Sequence, residues 1–286
     1  ARHMRRCWFH WSSNLFRLPF TSREELIDDA FYKPLRRIEA QERLCHITSH
    51  QVNIDVPVPK VMATVNALYK NLGNIINRFA NSPLFVNSKF YKEGRFYFWN
   101  DCLPILNTPR HRFGAKPVFP PREFKNLHDF YSWNWQGEFL FVIRDGLLHT
   151  FKDVTTTPAQ FFAARRGIVV TPDGGEKEVT LNKDDIELLF EMNWLDFKPH
   201  FDFDDAFTVD EFLAFLNCAD IDGFIAKHVT HAYLEIRPCS PHLENNAMDI
   251  PRYFYNIFSN LDAYIARAAQ IDWEEARAAR DRALLA

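Results

Sequence analysis

The sequence predicts an α+β fold with a mainly antiparallel sheet and helices packed on one side of it. Three observations carry this. Residues 47–55 and 231–237 each alternate side-chain character with the two-residue period of a strand. Glu138 to Ile143 is a short apolar run, followed by Arg144-Asp145-Gly146 and a second short run, which is the pattern of a tight hairpin. The strands are joined by hairpins and long excursions, with segments of helical periodicity grouped around them.

Taken in order, Ser22 and Glu25 stand three apart, as the cap and third residue of a helix do. Leu44 to Val56 reads as a strand that Pro57 and Pro59 end. Val61, Val65, Leu68, Leu72, Ile75, Ile76 and Phe79 recur at helical spacing, so one helix is expected over 61–79, stopped by Asn81-Ser82-Pro83. Residues 100–125 are rich in Pro, Arg and His and read as a long loop. Thr157-Pro158 opens a short helix, and Pro172-Asp173-Gly174-Gly175 is a turn. Helices are expected over Asp184 to Asn193 and over Thr208 to Leu216, the latter with Thr208 as cap and Glu211 three residues on. His231 to Arg237 is a strand, and Pro251 onward reads as one long helix. Residues 196–226, acidic at the start, look like an insertion in an otherwise single domain spanning 1–286.

The composition narrows the function classes. The net charge of -3 offers no basic excess for nucleic acid, and no apolar run is long enough to span a bilayer. The N-terminal residues lack the order of a secretory signal. Five cysteines, an odd number with no CxxC pair, argue against a disulfide framework or a structural zinc site and make a reducing cytoplasm the expected compartment. The 28 phenylalanines predict an aromatic-rich core.

Two strands carry polar rows. Gln51, Asn53 and Asp55 share a face with Ser49, and such a row needs solvent, a metal or a polar ligand. His231, Tyr233, Glu235 and Arg237 share a face opposite Ala232, Leu234 and Ile236; a carboxylate there could hold Mg²⁺ and an Arg could clamp a carboxylate or phosphate, or the two could simply pair. Arg95 follows Gly94 in an aromatic setting and suits either an anionic substrate or a packed surface stem. His200-Phe-Asp202-Phe-Asp204-Asp205 has metal-ligand types but reads better as an acidic loop before the Thr208 helix, and Arg110-His111-Arg112 reads as phosphate contacts or plain loop charge. The sequence has no GxxxxGK[ST], GxGxxG or GxSxG phrase, which disfavours P-loop and Rossmann mechanisms.

In order, these segments resemble the glutamate–cysteine ligase family of ATP-dependent carboxylate–amine ligases. The resemblance is carried by Gln51-Val-Asn-Ile-Asp55, Phe79-Ala-Asn-Ser-Pro83, Arg95 with Trp99-Asn-Asp101, Phe139-Leu-Phe-Val-Ile-Arg144, Leu234-Glu-Ile-Arg237 and Ile250-Pro-Arg-Tyr-Phe254, and covers roughly residues 43–260. It implies a glutamine-synthetase-like fold with an antiparallel sheet as one wall of the site. It implies ATP and Mg²⁺ as cofactors, and a reaction that joins the γ-carboxylate of glutamate to an amine such as cysteine through an acyl phosphate. Glu235 would be a metal ligand, and Arg237 would contact the glutamate or the transferred phosphoryl group, beside Tyr233. Arg95 would bind the amino-acid carboxylate, and Gln51 and Asn53 would lie at the nucleotide. The family's opening G-x-E-x-E strand, which binds metals, is not found in the sequence. Its carboxylates would then come from a longer chain, a second copy or a partner chain, or the protein would be a non-catalytic binding relative or partner subunit.

Overall fold

The structure, a computed structural model, describes residues 50–86, 89–94, 119–137, 141–153, 156–171, 173–191, 195–240 and 248–285. These form an α+β fold with antiparallel sheets, in two compact units. Described residues of 135–185 make one, and 50–94, 119–134 and 186–285 the other.

The smaller unit is an antiparallel meander of β4 (Phe141–Arg144), β5 (Leu147–Phe151), β6 (Arg166–Val170) and β7 (Glu176–Thr180). The expected hairpin joins β4 to β5. Asp145 and Gly146 both take positive φ, 53° and 72°, the backbone of a tight turn that follows the twist of its strands. Helix α4 (Pro158–Ala164) starts where expected. The Thr157 hydroxyl accepts from the Gln160 amide and the Gln160 side chain accepts from the Thr157 amide, a reciprocal cap. Phe161 packs edge-on to Phe151 and Phe162 to Trp135, with ring centroids 5.0 Å apart in each pair. The Arg144 guanidinium forks onto both oxygens of Asp185 at 2.7 and 2.6 Å and also donates to the carbonyls of Ile143 and Thr180. Arg144, part of the family resemblance, thus clasps the end of β4 to the start of a helix.

The larger unit is built on a three-stranded antiparallel sheet of order β1-β9-β8: β1 (His50–Asp55), β9 (Val229–Cys239) and β8 (Phe197–Phe203). Residues 196–226, read as an insertion, therefore supply one of its three strands. One sheet face is apolar: Phe197, Phe201, Ala232, Leu234 and Ile236 are all buried. Helices α1 (Val61–Lys70) and α2 (Leu72–Phe79) pack on β8 and β9. Tyr69 of α1 meets Phe197 edge-on at 4.8 Å and Phe119 at 5.5 Å. The core is aromatic-rich, as the phenylalanine count predicts. Phe224 of α7 (Ile221–His228) has the rings of Phe203, Phe207, Phe212 and Phe215 around it, Phe212 and Phe215 coming from α6 (Val209–Asn217).

Helix α6 carries the expected Thr208 cap. Two expected helices differ. The segment 61–79 breaks at Asn71, whose side-chain amide donates to the Ala67 carbonyl at 2.9 Å and competes with the helical ladder. The C-terminal segment is three helices, α8 (Asp249–Phe258), α9 (Leu261–Ala268) and α10 (Trp273–Leu284). Asn260 and Asp272 leave helical dihedrals, and the Asp272 carboxylate accepts from the amides of Glu274 and Glu275, capping a new helix instead of continuing the old one. A short hairpin, β2 (Leu84–Val86) with β3 (Lys89–Tyr91), follows α2, and α3 (Leu127–Asn134) has its first amides bound by Asp222.

Helices α2 and α10 touch backbone to backbone at Gly73. A Cβ there would lie 2.8 Å from the Ala279 carbonyl carbon, closer than atoms can come. Gly73→Ala should therefore destabilise the protein by about 1–3 kcal/mol although Ala is the better helix former. Urea unfolding of the variant, compared with an exposed-site control, tests this; unchanged stability would mean the helices can part without cost.

Candidate functional site

Alternation along three paired strands puts the polar rows on one sheet face. In register, Asn53 lies opposite Glu235 and Asp55 opposite Tyr233 on one side, while Lys198 lies opposite Glu235 and His200 opposite Tyr233 on the other. Central strand β9 thus carries Tyr233 and Glu235 flanked on both sides by polar partners. Gln51, Asn53 and Asp55 are exposed. The β1–β9 register shifts between His50 and Val52, so Gln51 falls in the irregularity and has no registered partner. Arg95, with Trp99 and Asp101, lies outside the described residues.

Around Glu235 the side chains form a ladder. Its Oε2 accepts from Arg237 Nη2 at 2.7 Å and lies 2.9 Å from His200 Nε2. The other ring nitrogen of His200, Nδ1, is 2.6 Å from Glu191 Oε2, which Lys198 Nζ also meets at 2.8 Å. Glu191 ends helix α5 (Lys183–Glu191). Its neighbour Phe190 goes to the apolar side, against Phe203 at 5.0 Å, so the helix end delivers a ring to one face and a carboxylate to the other. Tyr233 stacks on His200, with centroids 4.6 Å apart and planes 3° from parallel, and His231 stacks beyond it at 5.8 Å. His231 itself stands between Asp202 (2.9 Å) and Asp55 (3.0 Å), joining all three strands at the solvent-exposed end.

The electrostatics follow from this geometry. An ionised carboxylate only accepts, so an imidazole between two of them donates from both nitrogens and is an imidazolium. Burial opposes charge on His200, but the hydrogen bonds to Glu191 and Glu235 outweigh it and hold its pKa above the ordinary value. Burial also opposes charge on Glu235, yet His200, Arg237 and Lys198 together hold its pKa down to about 2. Burial lowers Lys198, with Glu191 partly offsetting it. The buried and half-buried part of the face sets three cations, Lys198, His200 and Arg237, among the carboxylates Glu191 and Glu235, and the buried Asp196 stands next to Arg237, whose amide donates to the Asp196 carbonyl, so the two signs balance. The planar fork of Arg237 is the group on this face that suits a carboxylate or phosphoryl group.

A divalent cation fits less well. The Glu235 oxygen is already shared by two cationic donors, and among the described residues no group of three or more His, Cys, Asp or Glu is arranged to hold a metal ion. A Mg²⁺–nucleotide at this face would need carboxylates beyond those described.

The structure brings together Asn53, Tyr233, Glu235 and Arg237 from the proposed ligand set, with Asp55, His200, Asp202 and His231, also singled out in the sequence, on the same face. Lys198, His200 and Glu191 were missed as partners. Lys227 of α7 pairs with Glu211 of α6. The signal for β8 was present as a strict alternation, with Phe197, Pro199, Phe201 and Phe203 on one side and Lys198, His200 and Asp202 on the other. Among the described residues no helix is long and apolar enough to cross a membrane. No family profile, curated protein or solved structure matches the chain.

The ladder has a pH signature of known sign. The Glu235 contribution is present above the ordinary carboxylate value of 4.5 and is lost as pH falls toward about 2. The His200 contribution is present below the ordinary 6.5 and is lost as pH rises through its raised folded value. The stability difference between the native chain and His200→Gln should therefore peak between roughly pH 4.5 and 6.5 and shrink on both sides. Urea unfolding of both proteins from pH 3 to 9 checks it, and a difference flat across that range would remove the imidazolium from the account.

Proposed function

We propose that the polar face of the β1-β9-β8 sheet binds a small carboxylate- or phosphoryl-bearing ligand, glutamate first among them. We infer that the chain serves an ATP-dependent carboxylate–amine ligase of the glutamate–cysteine ligase type, on a glutamine-synthetase-like fold. The observation that supports this most is the Arg237 guanidinium, held at Glu235 beside Lys198 and His200 on a sheet face whose reverse side is the core. Arg237 forks onto the ligand's anionic group, Lys198 adds a point charge beside it, and Tyr233 lines the approach. Glu235 holds Arg237 in place, and Asn53, with Gln51 at the strand's irregular start, offers uncharged hydrogen-bonding groups at the rim. Arg95 enters as a carboxylate partner by the family resemblance alone. ATP would supply the phosphoryl group that activates the γ-carboxylate toward an amine such as cysteine.

A second reading is a non-catalytic relative that binds the amino acid or nucleotide, or acts as partner subunit to a chain that supplies metal carboxylates. It is favoured by the engagement of Glu235 with His200 and Arg237 and by the lack of a metal-holding group among the described residues.

The test is ADP release by the purified chain with Mg²⁺, ATP and glutamate, with and without cysteine and a panel of other amines, alongside calorimetric binding of glutamate. Amine-stimulated release supports the ligase; binding without release supports the second reading; neither, in a folded sample, removes both. Where binding is seen, Arg237→Ala should weaken it about 10- to 100-fold, the worth of a charge-assisted hydrogen bond, without loss of the cooperative unfolding transition. Unaltered affinity would take Arg237 out of the site.

A further inference from the structure

We propose that His200 is a positioning residue: it ties the end of helix α5 to strand β9 through Glu191 and Glu235, and so fixes where the Arg237 guanidinium points. The inference rests on the anion-binding reading for its consequence, but not for its geometry.

Arg237 and Glu235 stand two residues apart on one strand, so their ion pair is local. By itself such a pair leaves a long Arg side chain several rotamers to choose from. Three contacts narrow that choice. Glu235 Oε2 is held from the other side by His200 Nε2 at 2.9 Å, so the oxygen that Arg237 grips at 2.7 Å cannot swing with it. The His200 ring cannot rotate about its own axis without losing Glu191, 2.6 Å from Nδ1. Tyr233, stacked 3° from parallel on the ring, blocks tilting. Glu191 in turn is anchored by Lys198 at 2.8 Å and by the burial of Phe190 next to it. The chain of restraint runs from the hydrophobic core through α5, Glu191, His200 and Glu235 to Arg237. The His200 and Glu235 side chains are only 13% and 12% exposed, so water competes poorly for these bonds.

Glu191 pairs with His200 and with Lys198, so Glu191→Gln is read by Arg237 exchange and not by ligand affinity, to which Lys198 contributes. If His200 acts by restraint, Glu191→Gln should loosen Arg237 in the same direction as His200→Ala, and less. The direct readout needs no ligand. In the ¹⁵N-labelled protein, with the signal assigned by its loss in Arg237→Met, exchange of the Arg237 Nε proton with water should accelerate about tenfold in His200→Ala and several-fold in Glu191→Gln. Unchanged exchange in both folded variants would overturn the proposal. If His200→Ala does not fold, Glu191→Gln decides alone.

The second arm uses glutamate as the probe. His200→Ala should raise the glutamate Kd about tenfold in the native background and less than about twofold when Arg237 is already Met, because the effect passes through Arg237. Equal losses in both backgrounds would mean that His200 contacts the ligand itself and would overturn the positioning role. Should the native chain bind no glutamate, the anion-binding reading fails, and the exchange measurement still decides the restraint.

Discussion

Everything in the larger unit hangs on the two-sided character of β9. Its inner side, Ala232, Leu234 and Ile236, is fully inside the core, and its outer side carries His231, Tyr233, Glu235 and Arg237. Because the side-chain period of a strand is two, these sets cannot be separated. A slip of one residue would drive Glu235 and Arg237 into the aromatic core and expose Leu234 and Ile236. The hydrophobic packing that stabilises the fold is thus the same constraint that holds the polar groups in register with Asn53, Lys198 and His200.

Within that frame the ladder obeys the usual arithmetic of buried charge. Each ion loses hydration, and only multiple good contacts make the loss tolerable. Glu191, Lys198, His200, Glu235 and Arg237 each have at least one partner of opposite sign within 3 Å. The stability of the unit gains little from such a network compared with apolar packing. Its effect is to hold a set of charges in one arrangement, which is a property of recognition surfaces more than of cores. The Asp55–His231–Asp202 link at the open end has the same pattern but sits in water, where screening leaves it weak.

Much of this was legible in the residues. The polar and apolar sides of 231–237, the Asp145-Gly146 turn and the Thr157 and Thr208 caps all rest on local rules, and local rules decided them. The break at Asn71 was not legible, because the periodicity of apolar residues runs straight through it and only the side-chain bond to Ala67 reveals the interruption. Strand β8 was hidden by composition. Pro199 in its middle and Asp202, Asp204 and Asp205 near its end read as a loop and outweighed the alternation of 197–203, which pairing with β9 makes a strand. With β8 unread, Lys198 and His200 had no place, and the partners of Glu235 could not be named. Glu191 was placed on its helix, but helix periodicity says nothing about which strand a terminal carboxylate will meet.

Pro199 has a consequence for how the protein behaves at high concentration. β8 is the last strand of the described sheet, and outermost strands are templates onto which a neighbouring molecule can add its own backbone. A proline in the third of seven positions has no amide hydrogen to offer, so an approaching strand would find the row of donors interrupted where it would need to be continuous. The residue that makes the segment hard to recognise in the sequence is therefore one that helps keep the folded molecules apart.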